Sequence, residues 1–216
     1  MTAERGSWVW YVAYGSNMDL ERLQRYLDAG RDAAAPVESR GVVLPGVVYF
    51  ATDSPVWGGA RAFYDPAADG RVYARAHLIR LGQFSDIAAL EMYRLPGVES
   101  GLDVGLDLDL DLDDLVLGGR VQVGPGRYET VVRVGEAGRV PMVSLTSPWR
   151  VGEVELRPPS SAYLRHFVLG LRATRQWSDL QIARYLVRCP GVAEAWSVPD
   201  VLALIGAEPP DSHTFG

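Results

Sequence analysis

The chain has 216 residues, of which 48% are hydrophobic and 22% charged, with a formal net charge of −6. This composition describes a globular chain able to bury a core, as one full-size domain or two small ones. It excludes nonspecific nucleic-acid binding, which needs a basic surface. All 21 basic residues are arginine, which excludes lysine-based mechanisms such as Schiff-base catalysis.

Six aspartates and no basic residue lie between Gly101 and Gly119, so that stretch carries a charge equal to the net value and the remainder is near neutral. Met1-Thr2-Ala3-Glu4-Arg5 leads into an aromatic strand with no apolar leader pattern. No apolar run approaches the roughly 20 residues of a bilayer span, so no membrane partner is expected. The single cysteine, Cys189, has no partner for an internal disulfide, which suits a cytoplasmic protein. Before Pro190, at the end of a helical pattern, it reads as a buried structural thiol.

Trp10-Tyr11-Val12-Ala13-Tyr14-Gly15-Ser16-Asn17-Met18 packs an aromatic strand, a glycine turn and two small polar residues ahead of a helix. Such a corner presents unpaired N–H groups and a positive dipole end to an anion. Leu20, Leu23, Tyr26 and Leu27 then recur at helical spacing, with Asn17 as the N-cap, Asp19 in the first turn and Gly30 just past the end.

Strand patterns fill residues 39–77. Val42-Val43-Leu44 and Val47-Val48-Tyr49-Phe50 flank Pro45-Gly46, as a tight hairpin or a bend. Two further runs, 60–64 and 72–78, flank Asp65-Pro66-Ala67-Ala68-Asp69-Gly70, which reads as a connector between antiparallel strands.

Residues 83–94 form the second helical pattern, with Ser85 as its candidate cap and Phe84, Ile87 and Ala88 on one apolar side. At 100° per residue, Glu91 falls inside that same arc. Burying a carboxylate there costs several kcal/mol unless it is paired or protonated, to about that order. The bland reading is a structural carboxylate paired with Arg94 or Arg75.

Leu106-Asp107-Leu108-Asp109-Leu110-Asp111-Leu112-Asp113 has a strict period of two, a solvated edge strand or flap. It lacks the central glycine and final glutamate of an EF-hand loop, and no metal is expected. Strands follow at 127–134 and 139–145. Pro158-Pro159-Ser160-Ser161 opens a third helix, Ser178 caps a fourth, and a short one follows Pro199. The tail from Glu208 has no periodicity and is expected to fray. Without regular βαβ alternation, this order predicts an α+β fold with a mostly antiparallel, barrel-like sheet and flanking helices.

Tyr11-Val12-Ala13-Tyr14-Gly15-Ser16-Asn17 resembles the signature of the γ-glutamylcyclotransferase superfamily, which includes the AIG2-like proteins. Ser54-Pro55-Val56-Trp57-Gly58-Gly59, the helix carrying Glu91, and Pro159-Ser160-Ser161-Ala162-Tyr163 resemble further segments of that superfamily, in its order. The resemblance implies a single domain of small mixed barrel type, with an acidic insertion at about 101–119 and a C-terminal helical extension at about 176–207. It implies attack of a γ-glutamyl α-amine on its own γ-carbonyl, giving 5-oxoproline and a free amine or amino acid, without cofactor or metal. Glu91 would be the general acid/base, with Tyr11, Val12, Ala13, Tyr14, Gly15, Ser16, Asn17 and Tyr163 holding the substrate. The chain departs from the family's Leu-Asp-x-x-Glu-Gly. Ile87-Ala88-Ala89-Leu90-Glu91-Met92 keeps the glutamate and lacks the aspartate and the glycine.

Two alternatives stay open: a non-catalytic binding or regulatory module on the same fold, and a cyclotransferase that removes a γ-glutamyl protecting group. A small-molecule γ-glutamyl substrate is the expected partner, with a homodimer also open. Read alone, Trp57-Gly58-Gly59 is a loop packing an aromatic against a tight glycine turn, and Tyr163 suits core as well as ligand. His77, His166 and His213 lack metal-like spacing and are expected to face solvent or be satisfied locally.

Overall fold

The computed structural model describes residues 8–96, 115–174 and 176–207. The Leu-Asp run, His213 and the tail from Glu208 lie outside the described residues.

Chain order begins with β1 (Trp8–Ala13), a 3₁₀ turn (Ser16–Met18) and α1 (Leu20–Asp28). Strands β2 (Glu38–Pro45), β3 (Val47–Ser54), β4 (Gly59–Asp65) and β5 (Arg71–Arg80) follow, then α2 (Leu81–Glu91). Next come β6 (Arg120–Gln122), β7 (Thr130–Ala137) and β8 (Val140–Thr146), and finally α3 (Ser161–Thr174), α4 (Asp179–Leu186) and α5 (Val198–Gly206).

Six strands form one sheet in the order β2-β5-β1-β8-β7-β6, and β3 and β4 form a separate pair. Only the β1–β8 pairing is parallel among the described strands; β1–β5, β2–β5, β3–β4, β6–β7 and β7–β8 are antiparallel. The class is therefore α+β with a mostly antiparallel sheet, as expected, but the sheet does not close into a barrel. It keeps two edges, β2 and β6.

Of the two readings left open at Pro45-Gly46, the structure takes the bend, here between sheets, because β2 pairs with β5 while β3 pairs with β4. The 65–70 connector likewise passes from one sheet to the other. The true hairpin is β3–β4, turning through the loop that carries Trp57. Alternation within each strand was legible, but partner choice depends on contacts far away in sequence, which periodicity does not encode.

β1 is central. It lies between β5 and β8, and Val9, Trp10, Tyr11, Val12 and Ala13 are all buried. A strand covered on both faces loses the polar–apolar alternation and reads as one apolar run. Phe84, Ile87 and Ala88 of α2 and Leu164, Phe167 and Leu171 of α3 close the core around it. Gly170 lets α3 approach the 3₁₀ turn, since a Cβ there would stand 2.5 Å from the Met18 Cβ. Among the described residues, no helix is long and apolar enough to cross a membrane.

Gly46 carries the bend between the sheets. Its φ is +103°, and an added Cβ would lie 2.3 Å from the Asp65 carbonyl oxygen. Gly46→Ala combines a disfavoured backbone conformation with a clash against main chain, and is expected to cost at least about 2 kcal/mol. Denaturant unfolding of the variant measures this, and an unchanged midpoint would contradict the assigned bend.

Candidate active site

The chain leaves β1 at Ala13 and turns at Gly15 into the 3₁₀ turn. Only the later N–H groups are used internally: Met18 N–H donates to Gly15 O (3.0 Å) and Asp19 N–H to Ser16 O (3.1 Å). The N–H groups of Ser16 and Asn17 have no acceptor among the described residues, although both residues are buried. Buried donors without partners are costly, and they suit an anionic ligand.

Asn17 is not the helix cap that its position suggests. Asp19 caps α1, accepting from the Glu21 N–H at 3.2 Å. The short 3₁₀ turn intervenes, which frees the Asn17 carboxamide to point inward. Its Nδ2 donates to the Tyr11 hydroxyl and to Glu91 Oε1, both at 3.2 Å. The Asn17 main-chain carbonyl oxygen is contacted by His77 Nε2 at 3.1 Å, and His77 Nδ1 stands 2.8 Å from Ser39 Oγ. Burial, with Arg75 nearby, lowers the His77 pKa to about 3, so the ring is neutral and locks the turn. His77 is thus satisfied locally, and it supports the site from behind.

α2 begins at Leu81, where Gln83 Oε1 accepts from the Arg80 N–H at 2.9 Å, so Ser85 is a buried residue of the second turn and not a cap. Its last residue is Glu91, half-buried beside the Asn17 amide. Neither expected arginine partner engages it. Arg94 pairs with the fully buried Glu129, and Arg75 donates to the Met18 carbonyl oxygen at 3.1 Å. Glu91 has no ion pair among the described residues. Burial pushes its carboxyl above the ordinary range, against a hydrogen bond from Tyr26, the charges of Arg22 and Arg127, and the Asn17 amide.

α2 ends in a Schellman motif: Arg94 N–H donates to Ala89 O and Tyr93 N–H to Leu90 O, both at 2.9 Å. The left-handed position belongs to Tyr93, with φ +57°, where glycine is the usual occupant. The strained turn sets the Tyr93 ring at the cavity, under the Arg127 guanidinium at 4.8 Å.

These elements enclose a cavity of about 90 Å³. A water occupies about 10–15 Å³ on this measure, so the space holds several such groups. Of the residues singled out in the sequence, Tyr11, Tyr14, Gly15, Ser16, Asn17, Glu91 and Tyr163 line it. Val12 and Ala13 do not; they lie within the sheet opposite Ala76 and Arg75. Tyr163 stands on α3, whose first turn is capped by Ser160 Oγ accepting from the Tyr163 N–H (3.3 Å). Its hydroxyl accepts from Ala62 N–H at 3.4 Å. Burial holds the Tyr11 and Tyr163 hydroxyls well above the ordinary phenol range, so both are neutral.

Sequence reasoning passed over several lining residues: Arg22, Tyr26, Arg61, Arg127 and Tyr128. Trp57, read alone as a packing residue, lies against Tyr163 with ring centroids 5.0 Å apart, and its segment did resemble the family. The arginines gave no such signal, because arginine is the only basic residue type in the chain.

No family model matches the chain. Over 187 aligned residues it is 29% identical to histone deacetylase 5 of Arabidopsis thaliana, covering 76% of this chain and 28% of that protein. The chain thus spans little more than a quarter of the curated relative it matches. Among solved structures it is similar to YkqA of Bacillus subtilis, at 20% identity and a TM-score of 0.46, over 85% of this chain and 55% of that one. It is also similar to a gamma-glutamyl cyclotransferase, at 14% identity and a TM-score of 0.45, over 97% of this chain and 93% of that one.

The raised carboxyl has a thermodynamic consequence. Below the ordinary Glu value of about 4.5, folded and unfolded chains both carry a protonated Glu91 and no cost arises. Above the raised folded value, the native state must hold the disfavoured charge, so stability falls as pH rises through that window. Glu91→Gln is therefore expected to melt above the wild type at pH 7.5 and close to it at pH 4, as read by thermal denaturation. Tyr93→Gly is expected to stabilise the chain by about 1 kcal/mol by relieving the left-handed backbone, measured by denaturant unfolding.

Proposed function

We propose that this pocket cyclises a γ-glutamyl group to 5-oxoproline, releasing an amine or amino acid, with Glu91 as general acid/base. The observation that carries the reading is Glu91 itself: a carboxyl with no ion pair among the described residues, raised by burial, lining the same small aromatic cavity as Ser16 and Asn17.

The chemistry needs those parts. An α-ammonium is not nucleophilic, so a base must first take one proton; Glu91 is the carboxyl in the cavity for this step. The freed amine attacks the γ-carbonyl carbon and forms the ring C–N bond. As the bond to the leaving nitrogen breaks, protonated Glu91 gives its proton to that nitrogen; the second proton, shed by the ring nitrogen as it becomes a lactam, passes through the freed carboxylate to the departing amine, which leaves as an ammonium, and Glu91 ends as it began. A carboxyl whose pKa is raised toward neutrality serves both directions of transfer.

The Ser16 and Asn17 N–H groups offer the α-carboxylate a fixed seat at the turn. The Tyr11 and Tyr163 rings narrow the cavity, favouring a bent γ-glutamyl chain. Because the ring closes within one molecule, holding that bent conformer supplies much of the rate advantage. Ala88, at the position of the family's aspartate, is buried in the core. That departure favours the second reading, a binding module on the same fold.

The two readings separate in one assay. The purified protein is expected to release 5-oxoproline from members of a γ-glutamyl amine and amino-acid panel. Glu91→Gln is expected to lower kcat/KM by about 100- to 10,000-fold, the usual worth of a positioned acid/base, with an unchanged circular dichroism spectrum. Full activity in that variant removes Glu91 as the base. Saturable binding without product across the panel supports the binding module instead.

A further inference from the structure

Two side chains of β5 reach the turn between β1 and α1 from behind the cavity. Arg75 and His77 stand two residues apart, so they share a face of the strand, opposite Ala13 and Tyr11 of β1. Arg75 Nη1 donates to the Met18 carbonyl oxygen, and His77 Nε2 contacts the Asn17 carbonyl oxygen, both at 3.1 Å. A carbonyl only accepts, so Nε2 carries the proton of the neutral ring. Nδ1 must then accept, and the Ser39 hydroxyl of β2 donates to it at 2.8 Å.

Each contact starts a chain of peptide groups. The peptide whose oxygen faces His77 carries the Met18 N–H, which donates to Gly15 O at 3.0 Å. The peptide of Gly15 O in turn carries the Ser16 N–H. The peptide whose oxygen faces Arg75 carries the Asp19 N–H, which donates to Ser16 O at 3.1 Å. The peptide of Ser16 O carries the Asn17 N–H. Both chains therefore end on the N–H groups that have no acceptor among the described residues. Hydrogen bonds in series polarise one another, so a donor at the outer oxygen strengthens the inner N–H. A separate feature marks the turn as a binding point. Asn17 is 4% exposed and lines the cavity, and its side-chain Oδ1 is buried without a partner. An acceptor beside two donors suits the nitrogen and the carboxylate carried on one α-carbon.

We propose that Arg75 and His77 are positioning residues for the ligand's α-carboxylate, acting through the peptides of the turn, with Ser39 holding the His77 tautomer. This rests on the γ-glutamyl reading above for the identity of that carboxylate. The α-carboxylate keeps its charge while the ring closes, so its seat acts alike on bound substrate and transition state. Weakening the seat therefore raises KM and leaves kcat in place.

The test compares 5-oxoproline with 5-oxoprolinamide, which share the ring and differ at the carboxylate. Calorimetric titration of the wild type is expected to favour the acid by about 10-fold or more. Arg75→Met and His77→Leu are each expected to lower that ratio by about 2- to 5-fold, the part of a charged hydrogen bond that polarisation supplies. Arg75→Lys and His77→Gln keep a donor and are expected to retain most of it. Arg22, Arg61, Arg127 and Glu91 line the same cavity and are the same in every variant, so their charges do not separate one variant from another. If His77→Leu does not fold, Ser39→Ala replaces it, with a fall in the ratio expected there too.

A wild-type ratio near one overturns the proposal. So does a ratio that falls with Arg75→Met alone, which is plain attraction to one cation. On any γ-glutamyl substrate that is turned over, the Arg75 and His77 losses are expected in KM, and a loss confined to kcat overturns the assignment. If no member of the panel yields 5-oxoproline, the cyclisation reading fails, and the binding ratios still decide for or against the two positioning residues.

Discussion

The site depends on one carboxamide. Asn17 Nδ2 joins the Tyr11 hydroxyl of the central strand to the Glu91 carboxyl at the end of α2, both at 3.2 Å. Three separate elements meet there: the strand, the turn that follows it, and a helix more than seventy positions later. A donor aimed at a half-buried carboxyl favours its charged form, while burial favours the neutral one. Asn17 therefore ties Glu91 to the turn and, beside the larger influences of burial, Tyr26 and Arg22, bears on how readily it holds a proton. His77 makes the arrangement rigid from the other side. Its neutral ring engages the Asn17 main chain while Ser39 fixes the ring, so the turn is gripped through backbone and side chain together.

That grip explains why the corner is built on the most buried strand. β1 pairs with β5 on one side and β8 on the other, and β5 carries His77 directly opposite Tyr11. The register thus places the residue that braces the turn beside the residue that shares its amide. A slip of one position would send Tyr11 and His77 to the opposite face and dismantle both contacts. Packing on both faces of β1 makes such a slip expensive, so the precision of the site derives from the hydrophobic core. The helices α2 and α3, which bring Glu91 and Tyr163 to the site, close on the same strand.

Much of this was legible in the sequence, and what was not has two causes, partner choice and composition. The aromatic strand before Gly15, the helical arc holding Phe84, Ile87 and Glu91, and the Ser178 cap of α4 are all local signals, and each element formed where its pattern lay. The bend at Pro45-Gly46, the passage of residues 65–70 between sheets and the open edges of the sheet depend on partner choice, which local patterns leave open. Asn17 shows the same limit at a single residue. A small polar side chain before a helix is a cap by local statistics, yet the 3₁₀ turn moves that role to Asp19. Arg22 and Arg127 were invisible for a compositional reason: in a chain whose basic residues are all arginine, residue type alone distinguishes none of them.

The electrostatic arrangement argues that Glu91 is held poised and not merely buried. A direct salt bridge would have fixed it as a carboxylate, and Arg94 lies close enough in sequence to supply one. Arg94 is instead engaged by Glu129, a fully buried carboxylate that also accepts from the Gly126 N–H in the turn just before Arg127. The same turn delivers Arg127 to the main-chain oxygen of Glu91, one step removed from its carboxyl. Positive charge is thereby brought near Glu91 without neutralising it, and the net of burial against Arg22, Arg127, Tyr26 and Asn17 still lies on the raised side. Burial thus opposes four groups that favour the charge, and the carboxyl is left raised without a direct cationic partner among the described residues, the setting in which a carboxyl can serve proton transfer.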